Sequence, residues 1–292
     1  MKQKFSNQNF ISRKITRIWL MLIYSSRKSV TTAFGSIVSP QEIQVQKSTE
    51  NYRRIIAMKK YLAPVILAAT DLKRYGSKND GGYVLPKKVV AKSKFLISGG
   101  IEDNNDFEFS LAKLGIKGIQ VDNSIDKPPL NHKNLRFKRA TLGGKSEFNV
   151  DDLIISFPKN ENGILKLDIE GSEYDVLTNL KNLQRLSIIV VEFHGLSRIA
   201  REDFWNQFRR ILEKISKTHV VVFMAANNCC GFTNIGGFPI PNVLEITWVK
   251  KSAIQGEKRH SYRKVKTALI SANYPKDAPL DISALFPIDQ IK

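Results

Sequence analysis

Short apolar segments alternate with amphipathic segments through the middle of the chain. The apolar segments predict seven strands, at 95–98, 118–121, 135–142, 164–167, 187–191, 220–224 and 243–249. Helices are predicted between them, at 107–114, 150–157, 172–180 and 201–216. The last two strands are joined without a helix, by a Gly/Pro-rich loop at 231–242. This alternation predicts an α/β fold with a seven-stranded, mostly parallel sheet, one antiparallel edge strand, and helices on both faces.

The chain divides into three regions of different composition. Residues 1–50 predict a basic N-terminal helix and a polar linker, residues 51–250 the α/β domain, and residues 251–292 a C-terminal wrap. The apolar run at 18–24 lies between basic clusters and is too short to cross a bilayer, which takes about 20 helical residues. Two interpretations stay open: a helix lying on an anionic membrane surface, or a helix packing on the domain or on a second subunit.

The formal net charge of +19 is concentrated at the two ends of the chain. Residues 1–60 contribute +10 and residues 250–292 contribute +5, whereas residues 61–249 contribute only +4. The middle of the chain therefore has the charge balance of an ordinary enzyme. Cys229 and Cys230 are adjacent, which predicts small, buried residues and no disulfide framework or spaced zinc motif. This cysteine usage favours a reducing cytoplasm.

Acidic residues and a histidine follow two consecutive predicted strands. The strand at 164–167 leads into Asp168 and Glu170, and the next strand ends in Glu192 and His194. Because the carboxyl ends of neighbouring parallel strands collect ligands and chemistry, these side chains are expected to converge as an active site. We expect His194 to act as the base, since imidazole titrates near neutrality and Glu192 lies two residues away on the same strand face. Asp168 could bind the substrate hydroxyl, hold a divalent ion or act as the base itself. Asp168, Glu170 and Glu192 also form an oxygen-rich set suited to Mg²⁺, and Ser172 is expected to cap the following helix.

A second feature predicts a nucleotide-binding half-site. The strand at 95–98 runs into Gly99 and Gly100, and Asp122 follows Gly99 after 23 positions, where an acid can bind ribose hydroxyls. The loop lacks the three-glycine pattern and carries three acids at 102–106, which disfavours a pyrophosphate and suits a cationic sulfonium. S-adenosylmethionine is therefore favoured over NAD or FAD.

The chain resembles the FkbM-type S-adenosylmethionine-dependent methyltransferases over residues 75–250. The most specific shared element is Ile-Leu-Lys-Leu-Asp-Ile-Glu-Gly-Ser-Glu at 164–173, and further matches lie at 80–84, 98–108, 121–122, 191–194, 227–228 and 241–247. The resemblance implies a Rossmann-like class I methyltransferase that acts on hydroxyls, often of sugars or polyketide glycosides. It implies cofactor contacts for Ser98, Gly99, Gly100, Glu108, Asp122 and Asn123, and acceptor contacts for Glu170, Asn227 and Asn228. The chain departs from the family in a less glycine-rich loop and in having no histidine just before Asn227.

Three functions remain open from the sequence. The first is an O-methyltransferase that acts on a sugar of a lipid-linked or surface glycan, in the cytoplasm or peripherally at the inner face of the membrane. The second is an RNA or DNA methyltransferase, although the charge is terminal and aromatic residues do not interleave with the basic clusters. The third is a non-catalytic module that keeps the fold and binds a membrane or nucleic acid.

Overall fold

The computed structural model describes residues 49–65, 67, 71–143, 148–255, 269, 272, 273, 280 and 282. These residues belong to one compact unit that begins at Thr49. The basic helix and linker predicted for residues 1–50 lie outside the described residues, apart from Thr49 and Glu50. Only five residues of the predicted C-terminal wrap beyond position 255 are described, so both terminal regions stay predictions.

The central sheet has seven strands, as the alternation of apolar segments predicts. They are β3 (Phe95–Gly99), β4 (Lys117–Val121), β5 (Leu135–Lys138), β6 (Gly163–Leu167), β7 (Leu186–His194), β8 (His219–Ala226) and β11 (Val243–Lys250). Their order across the sheet is β5-β4-β3-β6-β7-β11-β8, and β11 runs antiparallel to both of its neighbours. This is the sheet of a Rossmann-like class I methyltransferase fold.

The antiparallel strand lies one place further inside the sheet than the sequence predicts. The chain leaves β8 at the edge, turns back, and inserts β11 between β7 and β8. Because β11 is flanked on both sides, all but its last residue are buried. An apolar run of this kind is equally consistent with an edge or an inner position, so the periodicity alone could not place it.

Helices cover one face of the sheet, and a hairpin with two short helices covers the other. The helices are α1 (Thr49–Leu62), α2 (Lys87–Lys92), α3 (Asp106–Ala112), α4 (Val150–Ile155), α5 (Glu173–Asn179) and α6 (Glu202–Ser216). Helices α1, α4, α5 and α6 pack on the first face, where α6 buries its predicted apolar stripe. No helix among the described residues is long and apolar enough to cross a membrane.

The hairpin that covers the second face is formed by β1 (Leu72–Gly76) and β2 (Gly82–Pro86). The sequence predicts a tight turn at 80–83 and a short strand at 83–85, which corresponds to β2. It does not predict β1, because a lysine and an arginine lie between the apolar positions of that strand. Tyr83 and Val84 of the hairpin are buried, and the Val84 carbonyl accepts a hydrogen bond from Thr247 Oγ1 of β11 at 3.0 Å. The hairpin therefore packs directly over the middle of the sheet.

The segment between β8 and β11 differs from its prediction as an open loop. It contains a second hairpin, β9 (Phe232–Ile235) and β10 (Phe238–Pro241), whose turn is made by two glycines. Ahead of it, Cys229 and Cys230 are joined to each other by a disulfide bond and are half-buried. The prediction of two small buried cysteines without a disulfide is therefore wrong for this structure.

Candidate active site

The pleat of the sheet aims the acidic side chains at the hairpin-covered face. Ile164 of β6 and Val190 of β7 belong to the apolar cluster under the hairpin, so Asp168 and the pair Glu192 and His194, at even spacing from them, project the same way. β6 and β7 are adjacent parallel strands. One side-chain donor atom from each of Asp168, Glu192 and His194 lies within 4.8 Å of the others. The predicted convergence of two carboxylates and an imidazole is present in the structure.

Glu173 fixes the orientation of the His194 ring. Its carboxylate is fully buried in the first turn of α5, and Oε1 lies 2.9 Å from His194 Nδ1. The same oxygen accepts hydrogen bonds from the backbone N–H groups of Ile169 (3.0 Å) and Gly171 (3.2 Å). Ser172 occupies the N-cap position but makes no capping hydrogen bond with its side chain. The predicted capping role of Ser172 is therefore wrong, and Glu173 satisfies the exposed amides of this turn instead.

The electrostatics of His194 differ from the sequence-based expectation. Burial alone would lower the pKa of His194, but the hydrogen bond to Glu173 and the charges of Glu192 and Asp168 outweigh burial and raise the pKa to about 10. The imidazole of the ligand-free protein is therefore protonated at neutral pH and has no lone pair with which to accept a proton. The expectation that it titrates near neutrality is wrong in this structure.

Asp168 is the most accessible member of the cluster, with 26% of its side chain exposed. Its Oδ2 accepts a hydrogen bond from Tyr83 Oη at 2.9 Å and lies 3.4 Å from Lys166 Nζ. Its Oδ1 lies 3.8 Å from His194 Nε2. The carboxylate is therefore held on one side by the hairpin and the strand, and its other oxygen faces the imidazole.

Lys166 links the cluster to the glycine loop. Its ammonium group is buried and donates hydrogen bonds to the carbonyl oxygens of Gly100 and Gly99. Burial favours loss of the charge, yet the carboxylates of Asp168, Glu108 and Glu192 outweigh it and raise the pKa of Lys166. A charged ammonium in this position offsets part of the negative charge of the cluster.

Glu192 and Glu245 are two buried acids on neighbouring strands. They lie directly opposite each other in the β7–β11 register, and each is almost fully buried. Asn227, at the end of β8, donates a hydrogen bond from Nδ2 to Glu192 Oε1 at 2.7 Å. Burial and the charge of Asp168 raise the pKa of Glu192 well above its usual range, and burial is also the main cause that raises the pKa of Glu245 to about 7.

The glycine loop, which follows β3 at Gly99 and Gly100, packs against the backbone at Asp168, directly after β6. Gly100 has φ of +75°, and a Cβ at this position would lie 1.7 Å from the Asp168 carbonyl oxygen. Its N–H donates to the Val121 carbonyl at 3.0 Å. Only glycine fits this contact, which brings the loop after β3 and the candidate catalytic acid side by side.

The residues predicted to bind a cofactor surround this loop. Asp122 Oδ2 accepts hydrogen bonds from the N–H groups of Ile101 and Glu102 at 2.8 Å, and its Oδ1 accepts one from Ser124 at 2.6 Å. Burial raises the pKa of Asp122, but the hydrogen bonds to its carboxylate outweigh burial, so the pKa is lowered. Asp122 thus shapes the loop, and its contact with ribose stays a prediction.

Three other predicted cofactor residues differ in their accessibility. Ser98 and Glu108 are fully buried below the loop, where Ser98 Oγ donates a hydrogen bond to Glu108 Oε1. Asn123 follows Asp122 and is exposed. Direct contacts of these three with a cofactor also stay predictions.

The predicted acceptor residues lie around the rim of the cluster. The side chain of Glu170 is 71% exposed, and its Oε2 lies 3.7 Å from His194 Nε2. Glu170 has φ of 53°, a left-handed conformation that is uncommon for a residue with a side chain and that clusters at functional sites. Asn227 and Asn228 are buried at the end of β8. Glu170 therefore approaches His194, and Asn227 contacts Glu192.

Four residues of the site are not predicted by the sequence. The hairpin supplies Tyr83, and Glu173 reads as an ordinary residue of a helix start. Lys166 and Glu245 are single charged residues inside apolar strands, two positions before Asp168 and opposite Glu192 respectively. Burying a charge costs free energy unless the charge is paired. A charged residue inside an apolar strand therefore indicates a buried partner, and a search for such residues in the sequence would find Lys166 and Glu245.

Comparison with known proteins bears on the half of the domain that holds the acidic cluster. The Methyltransferase FkbM domain matches residues 130–220, which include β6, β7 and the candidate catalytic residues on them. The match does not extend to the glycine loop or to Asp122. Comparison with the curated proteins gives no match.

Solved structures similar to this chain include several methyltransferases. A fibrillarin/Nop5p complex is 10% identical, over 55% of this chain and 73% of that chain, with a TM-score of 0.35. The 23S rRNA methyltransferase ErmE is 10% identical, over 57% and 69%, with a TM-score of 0.33. An O-methyltransferase from Bacillus cereus in complex with SAH is 10% identical, over 76% and 97%, with a TM-score of 0.30. At these scores the likenesses carry no argument about activity. Residues 130–220 of the chain thus match the Methyltransferase FkbM domain, and they lie in a sheet of the Rossmann-like class I methyltransferase type.

Proposed function

We propose that this protein is an S-adenosylmethionine-dependent O-methyltransferase. The observation that carries the proposal is the convergence of Asp168, Glu192 and His194 within 4.8 Å, next to the Gly100 loop. Methyl transfer to a hydroxyl needs a sulfonium and a hydroxyl held in line, and a group that takes the hydroxyl proton near the transition state. The loop and the acidic cluster provide adjacent places for these two reactants.

The cofactor half of the proposal rests on the glycine loop. S-adenosylmethionine supplies an electrophilic methyl group on a positively charged sulfur. A loop in which backbone approaches closely at Gly99 and Gly100, with acids at 102, 103 and 106, suits a cationic cofactor better than a pyrophosphate. Asp122 holds this loop in place by accepting hydrogen bonds from the N–H groups of Ile101 and Glu102.

In this proposal, Asp168 is the base that takes the proton from the substrate hydroxyl. His194 is protonated in the ligand-free protein, so it serves as the positive partner that orients Asp168 and stabilises negative charge on the acceptor oxygen. Asp168 is partly exposed, and Tyr83 and Lys166 hold it in one position. Glu192 completes the negative surroundings of the imidazolium.

The acceptor in this proposal is a hydroxyl of a sugar, within a surface glycan or a lipid-linked glycan. Its support is the resemblance of the chain to FkbM-type enzymes, together with the exposed carboxylate of Glu170 beside the cluster; contacts of the buried Asn227 and Asn228 with the acceptor stay predictions. Carboxylate and carboxamide side chains such as these are suited to hydrogen bonds with sugar hydroxyls. Mg²⁺ was expected to bind the acids of this site, and the comparisons lend it no support.

The experiment that tests the proposed activity follows the labelled methyl group of S-adenosylmethionine into candidate acceptors. The panel contains nucleotide sugars, lipid-linked sugars, surface glycan, RNA and DNA. We expect label in a sugar-containing fraction, and a loss of roughly 10²- to 10⁴-fold in kcat for Asp168→Asn. The exposed Asp152→Asn is the matched control and should keep full activity. Label in RNA or DNA alone would replace the sugar acceptor, and cofactor binding without any transfer to the panel would contradict the proposed acceptor class.

The location in this proposal is the cytoplasmic face of a membrane, reached through the basic N-terminal segment. Five basic residues flank the apolar run at 18–24: Arg13, Lys14, Arg17, Arg27 and Lys28. Each would add about 1 kcal/mol of attraction to an anionic surface. Full-length protein should sediment with anionic vesicles, and a variant with these five residues changed to Gln should not. Equal sedimentation of both proteins would reject the membrane proposal.

A further inference from the structure

We infer that Asp168, Glu192 and His194 form a binding site for a divalent cation, with one imidazole and two carboxylates as donors. This inference rests on the proposed function and changes the role of His194 within it. The cation would displace the proton on His194 Nε2, take the place of the imidazolium as the positive partner of Asp168, and bind the acceptor oxygen beside the methyl donor. The donor set differs from the all-oxygen set Asp168, Glu170 and Glu192 that the sequence suggests. The structure places His194 among the donors and leaves Glu170 outside on the rim.

Each donor has a separate partner that holds it in place from behind. Tyr83 Oη donates to Asp168 Oδ2, and Asn227 Nδ2 donates to Glu192 Oε1. Such outer hydrogen bonds orient the ligands of metal sites and are part of what makes a cluster of side chains a site. An accidental cluster of acids has no reason to have every member held in this way.

The histidine provides the most specific part of this arrangement. Its Nδ1 lies 2.9 Å from the buried Glu173 Oε1, whereas its Nε2 faces Asp168 Oδ1 at 3.8 Å. A carboxylate that binds one ring nitrogen and leaves the other for the ion is the usual outer partner of a metal-binding histidine. Glu173 is in turn fixed by two backbone N–H groups, so the ring has little freedom to turn away.

A second observation is a buried carboxyl oxygen without a hydrogen-bond partner in the described part of the chain, on an acid whose nearby positive charges are those of Arg74 and Lys166. Glu245 is 4% exposed and lies directly opposite Glu192 in the β7–β11 register, on the same face of the sheet. Its Oε1 is buried without a hydrogen-bond partner among the described residues. A carboxyl oxygen left in this state is costly, and a cation with its bound waters would satisfy it.

The donor types indicate which ion would bind. Mg²⁺ strongly prefers oxygen ligands and water, whereas an imidazole favours transition metals. A mixed set of one nitrogen and two carboxylate donors accepts Mn²⁺ well, so Mn²⁺ should bind more tightly than Mg²⁺. Bound at this position, the ion would act as a Lewis acid that lowers the pKa of the acceptor hydroxyl.

The test uses the full-length protein and Mn²⁺ as the probe, in the absence of S-adenosylmethionine. Loss of the free Mn²⁺ signal in electron paramagnetic resonance measures binding, and nitrogen modulation in the pulsed spectrum reports an imidazole ligand. We expect binding with nitrogen modulation, a tenfold or larger loss of affinity in Glu192→Gln, and loss of the modulation in His194→Gln. Glu170→Gln is the matched control, because it removes one nearby charge without removing a donor, and its affinity should fall less than threefold.

Several results would overturn the cation site. They are no Mn²⁺ binding by folded wild-type protein, binding without nitrogen modulation, or an equal loss of affinity in Glu170→Gln and Glu192→Gln. Circular dichroism is used to check that each variant is folded. The nitrogen modulation of the wild-type protein tests the imidazole ligand without relying on any variant. Binding of S-adenosylhomocysteine is measured on the same samples. If it binds while Mn²⁺ does not, the cation site is wrong and the proposed methyltransferase function stands.

Discussion

At the scale of single residues, the site depends on the buried ammonium group of Lys166, which lies among several acids. Lys166 lies between the carbonyl of Gly100 and the carboxylates of Asp168, Glu108 and Glu192. Removing one partner of a buried ionic network leaves the others uncompensated, which usually costs more than the network itself contributes. Lys166 is therefore important for stability as well as for the position of the glycine loop.

Replacing Lys166 by Met should destabilise the protein by about 3–5 kcal/mol, because it leaves buried carboxylates without their cation. The control is Lys92→Met on the exposed end of α2, where a change of at most about 0.5 kcal/mol is expected. Urea unfolding at pH 7 measures both changes. Equal stability of the two variants would show that the buried ammonium is not needed to balance the acids.

His219 gives the protein a defined sensitivity to acid. Its Nε2 bonds the Leu186 carbonyl at 2.9 Å and its Nδ1 bonds Thr218 Oγ1 at 2.8 Å, which is the pattern of a neutral ring. Burial lowers the pKa of His219 from 6.5 to about 4, the carbonyl contact opposing it in part. The unfolded chain therefore binds the proton more readily, and stability present above pH 6.5 is lost as the pH falls towards 4.

The pH dependence of unfolding tests this assignment. The folded-state shift corresponds to about 3 kcal/mol of stability lost between pH 6.5 and 4. His219→Asn should be less stable at pH 7 but should lose less stability over this interval, whereas the control His132→Asn should keep the wild-type slope. A His219→Asn slope identical to that of the wild type would contradict the assignment.

At the scale of elements, the sequence predicts those parts whose surroundings impose a clear pattern. All seven strands of the main sheet are predicted, most of them because buried strands are largely apolar runs. β5 is partly exposed and alternates apolar and basic residues, the pattern of a half-buried strand. Strands β1 and β9 are not predicted because polar and exposed positions interrupt them, and their partners determine their conformation. β5 ends at Lys138, four residues before its predicted end at 142, because the chain leaves its partner β4 at that point.

The same limit applies to the candidate site. Asp168, Glu192 and His194 are predicted because the fold brings strand ends together, and that rule needs no side-chain detail. Tyr83 comes from a hairpin whose docking is a tertiary event, so no local pattern indicates its contact with Asp168. The protonation of His194 likewise depends on Glu173, whose buried position follows from the tight turn at Gly171.

The contact between the glycine loop and β6 gives an element-scale prediction. In Gly100→Ala the new Cβ would meet the Asp168 carbonyl oxygen, so the loop must move. In the control Gly115→Ala the φ is similarly positive, at +89°, but no atom lies within 4 Å of the new Cβ. The control should cost about 1–2 kcal/mol from backbone conformation alone, and Gly100→Ala should cost clearly more and weaken cofactor binding. Thermal unfolding measures both variants, and equal melting temperatures would contradict the close contact.

At the scale of the whole molecule, apolar layers on the two faces of the sheet support the candidate site at one edge, where the parallel strands end. Helices α1, α4, α5 and α6 stabilise the sheet from one side, and the β1–β2 hairpin closes the other side above the acids. The excess positive charge lies near the two ends of the chain, while the central region that carries the site is nearly balanced. A basic protein can therefore present an acidic site, which suits a positively charged methyl donor.

The most direct test of this account is calorimetric titration of the full-length protein with S-adenosylmethionine. We expect saturable one-to-one binding with a Kd on the order of micromolar, competition by S-adenosylhomocysteine, and no competition by NAD. Asp168→Asn should keep this binding while losing methyl transfer. The absence of any binding of S-adenosylmethionine or S-adenosylhomocysteine to folded protein would contradict the methyltransferase account and favour a non-catalytic module.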